Sequence, residues 1–327
     1  MPASGSLNRG AYHNPGYTTR PAVYEYDQQA VIALLVAYRA ATCVRVYPTA
    51  WRFRLLWSSR VWEPSLDTRL WQDRDGQTLG FAMLWRRVRM GGNPVLEPVV
   101  HPAFVNTGLV DAMLHWGLAR ARQIAENQVE PVTLYSSTLA PPVFSERNLQ
   151  ASGFAPLPPN LASHNIYFSK PLQNALPKPE LPPGCRIRPL AAGSDLEKYG
   201  ALYGFAVVSP QHRLDQLVSD EYHLLVVEAS DGALLAYCES SLCRAEWQAS
   251  DMKIGWIDYI ETDPEQRGCG LGKAVLLASL ARLRASGVEE TLLVTASDNT
   301  TAIHLYQSVG FERVESCEAL SYQLQLG

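Results

Sequence analysis

Asp263-Pro264-Glu265-Gln266-Arg267-Gly268-Cys269-Gly270-Leu271-Gly272-Lys273 sits between a strand-like run, 253–262, and a helical one, 272–286. In the helical run Leu276, Leu280 and Leu283 recur at i, i+4 and i+7, with Ser279, Arg282 and Ser286 off that stripe and Gly287 as the stop. Glycines at a helix start let the backbone come close to a ligand, and first-turn N–H groups have no partner inside the helix. Such a turn attracts phosphate oxygens. Arg267 and Lys273 flank the glycines and add charge-assisted hydrogen bonds to the same anion. A diphosphate is the natural guest.

Two familiar phosphate loops fit poorly. A dinucleotide fingerprint needs G-x-G-x-x-G directly after the strand, whereas the spacing here is G-x-G-x-G and residues 263–267 intervene. A nucleoside-triphosphate loop ends in G-K-[ST], and Gly272-Lys273-Ala274 lacks the hydroxyl that holds magnesium. An NAD-dependent oxidoreductase is therefore the least supported reading.

Working outward, the second half alternates strands and helices: a strand at 185–190, a largely helical region at 195–218, a hairpin at 223–242, and a second hairpin into 253–262. The helix at 272–286 comes next, then a strand at 291–296, a helix at 299–308 and one or two strands within 311–326. This is mixed α/β order. Upstream lies a proline-dense stretch, with Pro171, Pro177, Pro179, Pro182 and Pro183 among thirteen residues, which cannot continue a helix or central strand. It divides the chain into 1–170, a linker at 171–184, and 185–327. Residues 1–170 carry 16 Lys+Arg against 11 Asp+Glu and residues 171–327 carry 12 against 21, so the halves are +5 and −9. Opposite charge favours their docking.

The loop gains specificity from a second element, Asn299-Thr300-Thr301-Ala302-Ile303-His304-Leu305-Tyr306-Gln307-Ser308-Val309-Gly310-Phe311. Together the two resemble the acyl-CoA signatures of the GNAT superfamily of N-acyltransferases. R/Q-x-x-G-x-G/A stands as Arg267 to Gly272, and N-x-x-A-x-x-x-Y-x-x-x-G-F as Asn299, Ala302, Tyr306, Gly310 and Phe311. The first half resembles a worn copy. With His101-Pro102 laid on Asp263-Pro264 without gaps, Gly108-Leu109 falls on Gly270-Leu271; later in the half, Gly153-Phe154 stands where Gly310-Phe311 does. Val105, Asn106 and Val110 then replace Arg267, Gly268 and Gly272, and Leu149 replaces Tyr306. The resemblance implies two tandem GNAT-like domains of mixed α/β sheet, on the mycothiol synthase plan, with catalysis confined to 185–327.

The implied activity is transfer of an acetyl group from acetyl-CoA to a primary amine of a small molecule or peptide, by direct attack. By the resemblance, the strand edge at Ile260, Glu261 and Thr262 offers backbone groups to the thioester arm. The N–H groups of Arg267, Gly268, Cys269, Gly270, Leu271, Gly272 and Lys273 take the diphosphate, Asn299 fixes the arm, and Tyr306 is the general acid. A phenol of ordinary pKa near 10 suits protonation of a thiolate. The base is Asp258, with Glu261 and Glu239 as alternatives; strand alternation puts Asp258 and Glu261 on opposite faces. Direct transfer needs no acyl-enzyme, so Cys269 is not required as a nucleophile, and His304 reads as a surface residue. The rival reading is a non-catalytic acyl-CoA-binding regulatory protein.

Other features bound the partners. Lys+Arg 28 against Asp+Glu 32 leaves −4, no basic excess to hold nucleic acid or anionic lipid. Residues 1–20 are polar and no apolar run is bilayer-length, so no membrane attachment is expected. The six cysteines form no C-x-x-C pair and read as reduced thiols of a cytoplasmic protein, and no cluster has metal-ligand spacing. The basic run Trp85-Arg86-Arg87-Val88-Arg89 reads as a strand face. The expected assembly is a monomer or homodimer.

Overall fold

The computed structural model describes residues 16–42, 49, 63–87, 92–138, 143–158, 165–191, 193–203, 219–314 and 320–326. In chain order these hold β1 (Thr18–Arg20), α1 (Tyr24–Thr42), α2 (Pro64–Asp67), β2 (Thr68–Gln72), β3 (Thr78–Arg87), β4 (Asn93–Val100), α3 (Gly108–Glu126), β5 (Val132–Thr138), α4 (Glu146–Ala151) and β6 (Ala155–Pro156). There follow β7 (Asn165–Pro171), β8 (Arg186–Pro189), α5 (Leu196–Tyr203), β9 (Tyr222–Glu228), β10 (Leu234–Leu242), α6 (Arg244–Ser250), β11 (Ile254–Thr262), α7 (Leu271–Ala285), β12 (Glu290–Ala296), α8 (Thr300–Val309), β13 (Glu312–Arg313) and β14 (Leu320–Leu326). Residues 204–218 of the expected helical region lie outside the described residues, as do Cys43, Cys317 and 88–91.

These strands build two seven-stranded sheets, ordered β1-β2-β3-β4-β5-β14-β6 and β13-β7-β12-β11-β10-β9-β8. Each sheet has a parallel pair beside antiparallel neighbours: β4 with β5, and β11 with β12. The proline-rich division suggests that each half completes its own sheet, and here the structure differs. Strand β7, expected to end the first half, pairs in the second sheet with β12 and β13. Strand β14, the last of the chain, pairs in the first sheet with β5 and β6. Each half thus lends the other one central strand. Charge patterning could not show this, because the exchange is driven by ladder hydrogen bonds and apolar burial that any apolar strand can supply.

Helix α7 packs on one face of the second sheet, with Val275, Leu276, Leu280 and Leu283 at or near zero exposure. At about 1.5–3 kcal/mol for each fully buried aliphatic side chain, this stripe is a main anchor of the domain. Ser279, expected off the stripe, is also fully buried, and its small side chain lets the helix approach β10. The connection from β10 to β11 is not a tight turn but carries α6, whose Trp247 indole donates to the Ile254 carbonyl at 2.8 Å. Helix α6 meets α1 of the first half, where Arg39 faces Glu246 at 3.2 Å with little exposure of either side chain. The 171–184 segment is extended, as its prolines dictate, but it is laid down on the second core. Leu172 is buried there, Leu176 and Leu181 pack beside it, and the Asn174 carbonyl accepts from Arg284 at 2.9 Å.

The exchange makes an expectation that simple tandem domains would not. Tyr322 of β14 is 2% exposed in the first core, so Tyr322→Ala should cost about 3–5 kcal/mol in denaturant unfolding. Hydrogen exchange should show the lost protection in β5, its ladder partner, rather than in β12.

Candidate active site

Strands β11 and β12 run side by side only from Ile254↔Glu290 to Ile257↔Leu293. Beyond that point β12 continues its ladder with β7, through Val294↔Tyr167 to Ala296↔Asn165, while β11 pairs with β10 alone. The parting coincides with a break in register on the other side of β11: Ser240 faces Ile257 and Glu239 faces Tyr259, so Asp258 is an extra, bulged residue. The bulge also resets the alternation. Ile257 and Ile260, three apart, both pack in the α7-side core, and Tyr259 packs on the opposite side with Tyr199 and Tyr237. Alternation on either side of the slip therefore places Asp258 and Glu261 on one face. The expectation of opposite faces fails because it assumes an unbroken strand.

At the open end of the gap stands the N-terminus of α7. Its N-cap is Gly270, with φ 79°, and no side chain caps the helix. A Cβ at Gly270 or Gly268 would meet nothing within 4 Å, so these glycines are required by left-handed backbone and border open space. Gly272 is glycine for a different reason: a Cβ there would come within 3.0 Å of Thr262 Oγ1, where helix and strand meet. Arg267 is half exposed; its Nη2 lies 2.8 Å from Glu261 Oε1 and its Nε donates to the Thr262 carbonyl at 3.3 Å. Lys273 and Cys269 are exposed. Uncapped amides, two cations and open space above them fit a diphosphate.

Tyr306 projects from α8 into the second core at 5% exposure, with Phe168 at 6.2 Å and Phe311 at 6.0 Å between ring centroids. Burial pushes its phenol above the usual tyrosine range, and the negative charge of Glu261 pushes it the same way. The phenol of ordinary pKa expected from the sequence becomes a weaker acid that stays protonated. Cys238, fully buried beneath it, has its thiol pushed up to about 12 by burial. Asn299 is the N-cap of α8, its Oδ1 accepting from Ala302 N at 3.3 Å. Neither carboxylate oxygen of Asp258 contacts solvent. Glu239 is fully buried and accepts a hydrogen bond from the Tyr199 phenol, which ties α5 to the bulged stretch. His304 is exposed on α8. The sequence does not mark Phe168 as a neighbour of Tyr306, because nothing in it shows that β7 lies beside α8.

A protein from Thermobispora bispora described as a mycothiol acetyltransferase is 31% identical over 297 residues, spanning 88% of this chain and 93% of that one. The chain belongs to the GNAT family of N-acetyltransferases. Residues 195–311 match the acetyltransferase (GNAT) family directly. Among solved structures, a GCN5-related N-acetyltransferase from Sphaerobacter thermophilus superimposes with a TM-score of 0.60 at 20% identity, over 95% of this chain and 96% of the other. A tandem GNAT protein from the clavulanic acid biosynthesis pathway gives 0.62 at 16% identity, over 95% and 99%. This GNAT chain is an acyl-CoA-dependent N-acetyltransferase of tandem plan, and its family uses acetyl-CoA.

The first half of this GNAT protein repeats the second in geometry. His101 Nδ1 accepts from Ala103 N at 3.3 Å just as Asp263 Oδ1 accepts from Glu265 N at 3.0 Å. Phe154 N donates to the Leu149 carbonyl at 3.0 Å as Phe311 N does to Tyr306 at 3.1 Å. The chemistry differs. Thr107 caps α3 and takes the Leu109 amide at 3.3 Å, Val110 is buried where Gly272 is needed, and Leu149 is fully buried in place of the phenol. No helix among the described residues is long and apolar enough to cross a membrane. Among them no group of three or more His, Cys, Asp or Glu is placed to hold a metal ion, and Cys185, Cys238, Cys243 and Cys269 are free.

A group whose pKa is raised keeps its acid form to higher pH. The kcat profile of this acetyltransferase should therefore rise to a plateau and show no falling limb from Tyr306 up to about pH 11, past the point near pH 10 at which an unshifted phenol is half ionised. A loss of kcat centred near pH 10 that disappears in Tyr306→Phe would contradict the raised phenol.

Proposed function

We propose that this enzyme moves an acetyl group from acetyl-CoA to the primary amine of a small molecule by direct attack, at the parting of β11 and β12. The observation that carries the reading is the uncapped start of α7 beside that parting, with Tyr306 entering the same core from α8. The N–H groups of residues 267–273 hold the diphosphate, helped by Arg267 and Lys273. The edge of β11 at Ile260, Glu261 and Thr262, which β12 no longer covers, offers backbone hydrogen bonds to the thioester arm, and Asn299 bounds it from α8. Acetyl-CoA supplies an activated acyl group with a thiolate as leaving group.

The chain's residues manage the protons. Asp258, at the bulge, accepts the proton released as the amine nitrogen bonds the acyl carbon, and Tyr306 donates to the sulfur as the C–S bond breaks. Because burial raises its pKa, Tyr306 acts chiefly as a hydrogen-bond donor to the developing thiolate. Glu261 stands exposed at the strand end, whereas both carboxylate oxygens of Asp258 are shielded from water at the bulge, which makes Asp258 the better base of the two. Similarity to proteins described as mycothiol acetyltransferases supports a small-molecule amine over a peptide, and the amine acceptor of those enzymes is the first candidate.

A thiol-release assay across an amine panel tests the reading. With a turned-over acceptor, Tyr306→Phe should lower kcat by about a hundredfold with little change in the KM for acetyl-CoA. Gly270→Glu should abolish CoA binding by calorimetry, since it sets a carboxylate and a strained backbone where the diphosphate sits. Full turnover in Tyr306→Phe at every pH would remove that residue from the chemistry.

A further inference from the structure

The Arg267 guanidinium, the strongest cation beside the glycine turn, already has a partner. Glu261, six residues earlier at the end of β11, places Oε1 2.8 Å from Nη2, and the Thr262 carbonyl takes Nε at 3.3 Å. Together these contacts fold the side chain back onto the strand end. Of the neighbouring acids, Asp263 is engaged by the Glu265 amide at 3.0 Å and Glu265 is exposed. Glu261 is thus the carboxylate with a contact to Arg267. Both side chains are accessible, at 57% and 40%, so the pair is an exposed one and of modest strength.

We propose that Glu261 is an internal competitor for the coenzyme's diphosphate: it occupies Arg267 in the free enzyme, yields it to the diphosphate on binding, and recaptures it as CoA leaves. The proposal rests on the 267–273 turn as the diphosphate seat. An exchange of one anion for another on the same guanidinium lowers net affinity in proportion to the strength of the pair that must be broken. It also leaves a carboxylate near the incoming negative charge. Glu261 therefore tunes coenzyme affinity, and its strand position serves product release rather than proton transfer.

The experiment is calorimetry of CoA with the full chain and with Glu261→Gln, Arg267→Ala and the double variant, joined by stopped-flow dissociation of CoA. Glu261→Gln should tighten CoA by about twofold to fivefold, the reach of an exposed ion pair, with dissociation slowed by the same factor. The gain should vanish in the Arg267→Ala background. S-acetylpantetheine, which carries the thioester arm without the diphosphate, should not gain affinity by calorimetry in Glu261→Gln. Unchanged or weaker CoA binding in Glu261→Gln, while Arg267→Ala weakens it, overturns the competition and leaves the seat intact. An equal effect on S-acetylpantetheine overturns it too, by moving the action to the thioester arm. Unaltered CoA binding in Arg267→Ala sinks the part given to Arg267 in the seat and the competition with it.

Discussion

A strand in the middle of a sheet must give its backbone hydrogen bonds to both neighbours, and β11 does so for only half its length. From Ile254 to Ile257 it is paired on both sides, and from Asp258 onward it is paired on one. Backbone polar groups without partners are costly inside a protein, so such an edge persists where something else, solvent or a ligand with its own amides, can satisfy it. The site depends on this parting. The bulge at Asp258 accompanies it by increasing the local twist of β11, and β7 accompanies it by giving β12 a different neighbour.

That neighbour comes from the other half of the chain. β7 follows the first half's elements in sequence, yet it lies between β12 and β13 and carries Phe168 against Tyr306. The first half, which lacks an open glycine turn and has Leu149 in place of the phenol, still builds one wall of the tyrosine's pocket. In return β14 closes the first sheet with Tyr322 and Leu326 buried. Two copies of one fold are tied by reciprocal strands, so neither sheet is complete without the other half. The ion pair of Arg39 with Glu246 is a local contact within an arrangement already set by the ladders.

The glycine turn, the leucine helix and the Asn299-to-Phe311 helix were legible because each is local: turn chemistry, a 3.6-residue period and caps are written in neighbouring residues. So was the loss of the cradle in the first half, where Val105, Asn106 and Val110 stand in place of Arg267, Gly268 and Gly272 and Val110 is buried. What misled was every step that assumed regularity. Ser279 looks polar and outward by stripe counting, but its small side chain is fully buried where α7 packs on β10. Asp258 and Glu261 look opposed by alternation, but one inserted residue reverses parity. Tyr306 looks like an ordinary phenol, but Phe168 and Phe311 remove its water.

The amino-acid sequence by itself determined the family resemblance, the uncapped glycine start of α7, and which half retains it, since these reside in runs of a dozen residues whose backbone preferences are intrinsic. Tertiary structure alone decided which strands complete which sheet, where β11 leaves β12, and which carboxylate Arg267 meets. Those outcomes turn on pairings between segments far apart in the chain, where many apolar strands would serve equally by composition and only simultaneous burial of both cores selects one arrangement.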